Sequence, residues 1–171
     1  MAKRVSLKEF QEGLASRLKA AATEAAPSAR LGFEAGGGYW LAKLDSSGEV
    51  LQAPDIQRVP LTSDWFLGVA NIRGSLFGVS DFGAFLGQPL TPRGPENRLL
   101  LIGQPLGMNC ALLVSRLLGL RNIVEYTEER SSEFSAAWSA AAWRDPDGRV
   151  WRELETGQLL AQREFLEIAV R

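Results

Sequence analysis

The chain predicts a mainly β protein: two small β-barrels side by side, with a helix at each end. Three observations lead there. Short apolar runs separated by turn residues recur from Leu31 to Trp151. A proline-rich stretch from Gln88 to Glu96, holding Pro89, Pro92, Gly94 and Pro95, falls near the middle. Helical periodicity is confined to the two ends. Such a pattern fits barrels better than alternating strands and helices. With 171 residues, 46% of them hydrophobic and 23% charged, the chain can bury a sizeable core without staples.

The first element is a helix. Ser6 and Glu9 form a Ser-x-x-Glu capping box. Leu7, Phe10, Leu14, Leu18 and Ala21 follow at spacings of three and four, giving one apolar stripe, and Pro27 ends the segment. The stripe packs on the chain's own domain or on a partner. Next, Leu31-Gly32-Phe33 and Tyr39-Trp40-Leu41 flank Gly36-Gly37-Gly38, which reads as a hairpin turn. A phosphate cradle would need a helix with Lys-Ser or Lys-Thr after the glycines, and Tyr39-Trp40 stand there instead.

Asp45-Ser46-Ser47-Gly48 reads locally as a second turn. Trp65 to Val69 and Leu76 to Val79 are strand-like, with Asn71-Ile72-Arg73-Gly74 between them. Leu99 to Ile102 and Ala111 to Val114 are two buried strands joined by a turn at Gly103 to Gly107. Trp143 and Trp151 flank a Pro-Asp-Gly turn, which places them on neighbouring strands. The end of the chain, with Leu159, Leu160, Phe165, Leu166 and Ile168, reads as a short amphipathic helix whose large residues pack on the domain.

Composition removes most chemistry. There is no histidine, so Ser-His and Cys-His pairs, the usual general base near neutral pH and the commonest zinc ligand are all missing. Cys110 is the single cysteine and lies in an apolar run. No internal disulfide or thiolate cluster follows, and a buried inert thiol is expected. Asp45, Asp55, Asp64, Asp81, Asp145 and Asp147 include no pair at a catalytic spacing, and the Asp145 turn lacks the later oxygen ligands of a calcium loop. No enzyme, cofactor or metal site is expected. The net charge is -1, and Arg58, Arg73, Arg93 and Arg98 are scattered among acids. A nucleic-acid surface is not expected either. No stretch reaches the length of a membrane span, and no signal-peptide apolar region follows the basic N-terminus, so the cytoplasm is the expected compartment.

The residue pattern with most content is Gly68-Val69-Ala70-Asn71-Ile72-Arg73-Gly74, followed by Val79-Ser80-Asp81. It resembles the signature of the CheW-like chemotaxis scaffold family. In that family the pattern runs through an apolar pair and a proline before Val-x-Asp; here Gly78 takes the proline position. Glu49-Val50 resembles the family's Glu-Ile or Glu-Val element, which makes Ser47 to Val50 a structural element rather than a turn. Leu112-Leu113-Val114-Ser115 resembles its Val-Val-Asp element, with Ser115 in place of aspartate. Val59-Pro60-Leu61-Thr62 before Trp65, the Trp143 to Trp151 hairpin and the two chain ends are similar to the branch of the family that serves type IV pilus chemosensory systems.

The resemblance implies two intertwined SH3-like five-stranded barrels. On that basis residues 1–29 form an N-terminal amphipathic helix, and 30–171 form a domain of two barrel subdomains with a proline-rich connection near 88–96. It implies a non-catalytic adaptor that couples the cytoplasmic tip of a methyl-accepting chemoreceptor to the regulatory domain of a CheA-like histidine kinase, recruited to receptor arrays at the inner membrane. The motif residues Glu49, Asn71, Arg73 and Gly74 are the implied interaction site. By local pattern alone Arg73 reads as a solvated turn arginine; the resemblance puts it at the groove between barrels, beside the receptor-binding surface, either as a contact residue or as a structural brace in a buried ion pair, whose one-sided loss is costly.

Overall fold

The computed structural model describes residues 28–44, 47–129, 136–139 and 141–170. Among the described residues eleven strands form two sheets. Strands β1 (Ala29–Ala35), β2 (Gly38–Lys43), β8 (Arg116–Asn122), β9 (Thr127–Glu129), β10 (Ala142–Arg144) and β11 (Val150–Leu154) make the first, in the order β8-β1-β2-β11-β10-β9. Strands β3 (Ser47–Gln52), β4 (Phe66–Ile72), β5 (Ser75–Asp81), β6 (Arg98–Ile102) and β7 (Cys110–Val114) make the second, in the order β3-β6-β7-β5-β4. The α-helices among the described residues are single turns: α1 (Phe82–Phe85), α2 (Thr156–Leu160) and α3 (Arg163–Leu166). The helix predicted over Ser6 to Ala22 lies outside the described residues.

The first sheet has six strands rather than the expected five. After β8 the chain bends through a short 3-10 turn at Ile123–Glu125, capped by the Asn122 side chain accepting from Val124 N at 3.1 Å. It continues as β9, which lies at the far end of the same sheet. One bent run thus supplies both edge strands. The chain leaves this sheet after Lys43 and returns at Ser115, so the second sheet is an insertion within the first. The stretch 88–96 joins α1 to β6, and both of its ends belong to the second sheet. It is tied down by Asp81, which accepts from Thr91 N at 2.7 Å and Thr91 Oγ1 at 2.8 Å while capping α1 through Ala84 N.

Strands β6 and β7 explain why two sheets share one molecule. Leu100, Ile102, Leu112 and Val114 face Leu31, Phe33, Trp40, Ala42 and Leu154 of the first sheet. Leu99, Leu101, Ala111 and Leu113 point the other way, onto Ala70, Ile72, Phe77 and Val79. Both faces are buried, which is why these strands read as unbroken apolar runs. The C-terminal turns close the shared core. Leu159, Leu160 and Phe165 are buried, with Phe165 stacked on Trp65 at 5.7 Å. The single predicted C-terminal helix is two short turns instead, and Leu166 is exposed, so only Phe165 of that pair packs as expected.

The β1–β2 hairpin closes in two residues, with Ala35 paired to Gly38. Gly36 and Gly37 take φ of 57° and 73°, the left-handed pair that such a turn requires. Trp143 and Trp151 are direct cross-strand partners, as their spacing predicts.

The outer face of the first sheet is filled by polar groups around aromatics. Trp151 is fully buried and donates its indole N–H to Asp145 Oδ2 at 2.8 Å, with the Arg121 guanidinium 5.1 Å over its ring. Burial pushes the Asp145 carboxyl up. The N–H donors of Trp151, Arg149 and Asp147, with the Arg149 charge, outweigh it and hold the group below the usual carboxylate range. Arg30 donates from Nε to Glu153 Oε1 at 2.6 Å, and Trp143 Nε1 donates to Glu153 Oε2 at 2.9 Å. Both ion-pair partners are buried. Replacing Glu153 by Leu leaves the Arg30 charge without its carboxylate and is expected to cost about 3–5 kcal/mol in denaturant melts. The double variant Arg30→Met/Glu153→Leu should cost clearly less than the two single losses summed.

Candidate functional site

The Asn-x-Arg-Gly motif forms the tip of the β4–β5 hairpin. Ile72 pairs with Ser75, so Arg73 and Gly74 alone make the turn. Both are left-handed, at φ 52° and 86°. Asn71 Oδ1 accepts from Gly74 N at 2.8 Å and braces the turn from its own strand. Gly74 fits this backbone without cost. Arg73 does not: a non-glycine residue in the left-handed region is strained by about 1 kcal/mol or more. Glycine or asparagine would close the turn more easily, so the arginine side chain itself is what the position holds.

The Arg73 side chain reaches Glu49 on β3, where guanidinium Nη2 pairs with carboxylate Oε1. Glu49 sits on β3, at one end of the second sheet, and Arg73 in the turn that follows β4, at the other end. Their meeting requires the sheet to curl until its ends approach. A second link does the same with backbone. The segment after β3 swings round, and Gln57 and Val69 exchange hydrogen bonds of 2.7 and 2.8 Å.

This closure depends on a glycine. Gly68 has φ 128°, and a Cβ there would lie 2.0 Å from the Gln57 carbonyl oxygen. Sequence reasoning placed Gly68 in the motif without giving it a role. The signal was present, since a glycine inside a strand marks close backbone approach. Gln57 carried no signal at all, because it acts through its backbone.

All four motif residues therefore come together: Glu49 through Arg73, and Asn71 and Gly74 through the turn. Of the two roles left open for Arg73, the buried brace is corrected, and the solvated turn position read from the local pattern is what the structure shows. The Arg73 side chain is 75% exposed and that of Glu49 40%. The pair lies at a hairpin tip in solvent, because Arg73 occupies the turn itself, beyond the last pair of the two strands. Leu76, cross-strand partner of Asn71, is 65% exposed. The tip thus offers a forked cation, a carboxylate and one apolar side chain on a stiff turn. That chemistry suits docking of another macromolecule. It holds no nucleophile with a base. Among the described residues no cluster of acids or cysteine fits a metal ion, and the Cys110 thiol is pushed up by burial.

Comparison with known proteins adds three findings. The family model for the CheW-like domain matches residues 30–164. Protein PilI of Pseudomonas aeruginosa is 34% identical over 92 residues, which cover 54% of this chain. The chain spans about half the length of that relative, 51%. The crystal structure of the scaffolding protein TtCheW from Thermoanaerobacter tengcongensis superposes with a TM-score of 0.68 at 17% identity, covering 80% of this chain and 94% of that one.

Two substitutions separate closure from display. Gly68→Ala drives a methyl group into the Gln57 carbonyl and is expected to lose at least about 3 kcal/mol in thermal or urea unfolding. Arg73→Ala removes only a solvent-exposed ion pair and should cost less than about 1 kcal/mol. Arg73→Gly, which relaxes the turn, should melt at or above the temperature of Arg73→Ala.

Proposed function

The chain belongs to the CheW-like domain family, and on that premise we propose that it is a non-catalytic signalling adaptor joining a chemoreceptor to a histidine kinase. One partner is the helical cytoplasmic tip of a methyl-accepting receptor. The other is the regulatory domain of a CheA-like kinase. The action is positional: separate faces of a rigid scaffold hold the two partners in a fixed arrangement, and phosphotransfer is left to the kinase. Its two sheets are read as a pair of SH3-like barrels, a reading supported by the bent β8–β9 run and by the Gln57–Val69 link. A cytoplasmic location at receptor arrays follows from such partners, and among the described residues no helix is long and apolar enough to cross a membrane.

The observation that carries the proposal is Arg73. It is kept in a strained turn, it is exposed, and it is oriented by Glu49 beside an exposed leucine. A residue held at a conformational cost without a folding role fits a contact residue better than a brace. The likeness to PilI favours the chemosensory system of type IV pili, with twitching motility as the output, over a flagellar-type pathway.

Capture assays with the full chain test this. The purified protein is expected to retain both a receptor signalling fragment and the kinase regulatory domain. Arg73→Ala should weaken retention of one of them by about tenfold, equivalent to the loss of a modest interface contact, with the melting temperature nearly unchanged. Retention of neither partner by the native chain, or full binding by Arg73→Ala and Arg73→Gly alike, would remove the proposal's basis.

A further inference from the structure

The proline-rich connection between α1 and β6 has a shape of its own. Prolines stand at 89, 92 and 95, a spacing of three. Each locks its own φ and pushes the residue before it, Gln88, Thr91 or Gly94, into extended backbone. Between Gln88 and Pro95 only Leu90 and Arg93 escape both restrictions. Such a chain is held near polyproline II, a left-handed helix with three residues per turn and a solvated backbone. Pro89 to Gly94 belong to no helix, strand or turn. The carbonyls of residues 89–93 accept no hydrogen bond from a described residue.

The residues tied to the domain recur at the same spacing. Thr91 is buried and donates from N and Oγ1 to the carboxylate of Asp81, itself fully buried. Gly94 donates from N to Asn97 Oδ1 at 2.8 Å. Asn97 is buried and donates to the Ser115 carbonyl at 3.1 Å. Pro89, Leu90, Pro92 and Arg93 stand in solvent, with Leu90 52% exposed. A polyproline II helix has three edges, and a groove lined with aromatic side chains reads two of them. Here the third edge is the one fastened to the domain, so the two readable edges face outward. The prolines and the Asp81 anchor also remove backbone freedom that a loose segment would lose on binding.

Charge narrows the kind of groove. Arg93 is exposed, and none of the ion pairs between described residues includes it. The nearby Arg98 is turned onto the Pro95 and Asn97 carbonyls instead, at 2.7 and 2.8 Å. One outward guanidinium, with Glu96 three residues on, suits a carboxylate on a groove rim and not a polyanion such as nucleic acid. We propose that the 88–95 ridge is a docking element for a proline-reading protein domain, with an aromatic-lined groove for Pro89-Leu90 and Pro92 and an acidic rim for Arg93. This contact uses neither Arg73 nor Glu49, so it stands or falls apart from the adaptor reading.

Amide NMR of the full isotope-labelled chain tests it, with a panel of SH3, WW and EVH1 domains as probes, each an aromatic-lined groove that reads such segments. At least one acidic-rimmed domain is expected to shift the Leu90, Thr91 and Arg93 amides to saturation, leaving the Arg73 turn unmoved. Pro92→Ala and Arg93→Glu should each weaken that binding by about tenfold or more, with the melting temperature retained. Should Pro92→Ala disturb the fold, Arg93→Glu decides alone, since it changes only an exposed side chain. An absence of shifts at 88–95 with every domain at millimolar concentration would overturn the proposal. So would binding that Arg93→Glu leaves unaltered. Shifts at 88–95 that grow with the chain's own concentration, before any domain is added, would overturn it too, because the occupant would then be a second copy.

Discussion

Everything in this fold leans on one pair of strands with no solvent face. Strands β6 and β7 present leucines to both sides, so each sheet completes its core against the same wall. One face of the pair lines the second sheet's own interior, and the other completes the core of the first sheet. Apolar burial contributes roughly 25 cal/mol per Å², and here a single pair of strands contributes it twice. A polar substitution at Leu100 or Leu101 would therefore be felt by one sheet directly and by the other through the displaced backbone.

The motif hairpin is a consequence of that wall. With β7 central and paired to both β6 and β5, the second sheet has β3 and β4 as its ends. Those ends approach where Gly68 admits the Gln57 backbone, and the approach delivers Glu49 to Arg73. Closure is carried by backbone contact and core packing. The exposed ion pair adds little to stability, as surface pairs do, and serves instead to fix the direction of a guanidinium. The contrast is visible in burial: closure lies in the tight contact at Gly68, and the Arg73–Glu49 pair stands in solvent at the tip.

Much of this was legible in the sequence. The hairpins at Gly36-Gly37 and at Trp143/Trp151, the buried strands β6 and β7, and the turn at Arg73 all announced themselves through glycine placement and unbroken apolar runs. Asp45 to Gly48 looked like a turn by composition, and only the family pattern made Ser47 to Val50 a structural element, which is the start of strand β3. The sheet assignment was not legible. A proline-rich midpoint resembles a boundary between units, but local composition cannot report which strands pair across long separations. Here the connection at 88–96 stays within one sheet, held by Asp81. Arg73 illustrates the same limit. Its place in a tight turn could be read from Asn71 and Gly74, whereas its pairing with Glu49 depended on the two ends of the sheet meeting, which no local spacing reports.

Ser115 is all that separates β7 in one sheet from β8 in the other. Its N–H donates to the Glu34 carbonyl at 2.9 Å, and its own carbonyl accepts from Asn97 Nδ2 at 3.1 Å. A joint one residue long, clamped on both sides, has no slack. The two halves cannot swing as hinged bodies do, because a hinge needs backbone free to absorb rotation. The molecule behaves as a bracket rather than a pair of pliers. Load placed on the β8 edge passes straight into the β7 wall, and what such a part keeps fixed is the angle and spacing of its own two halves.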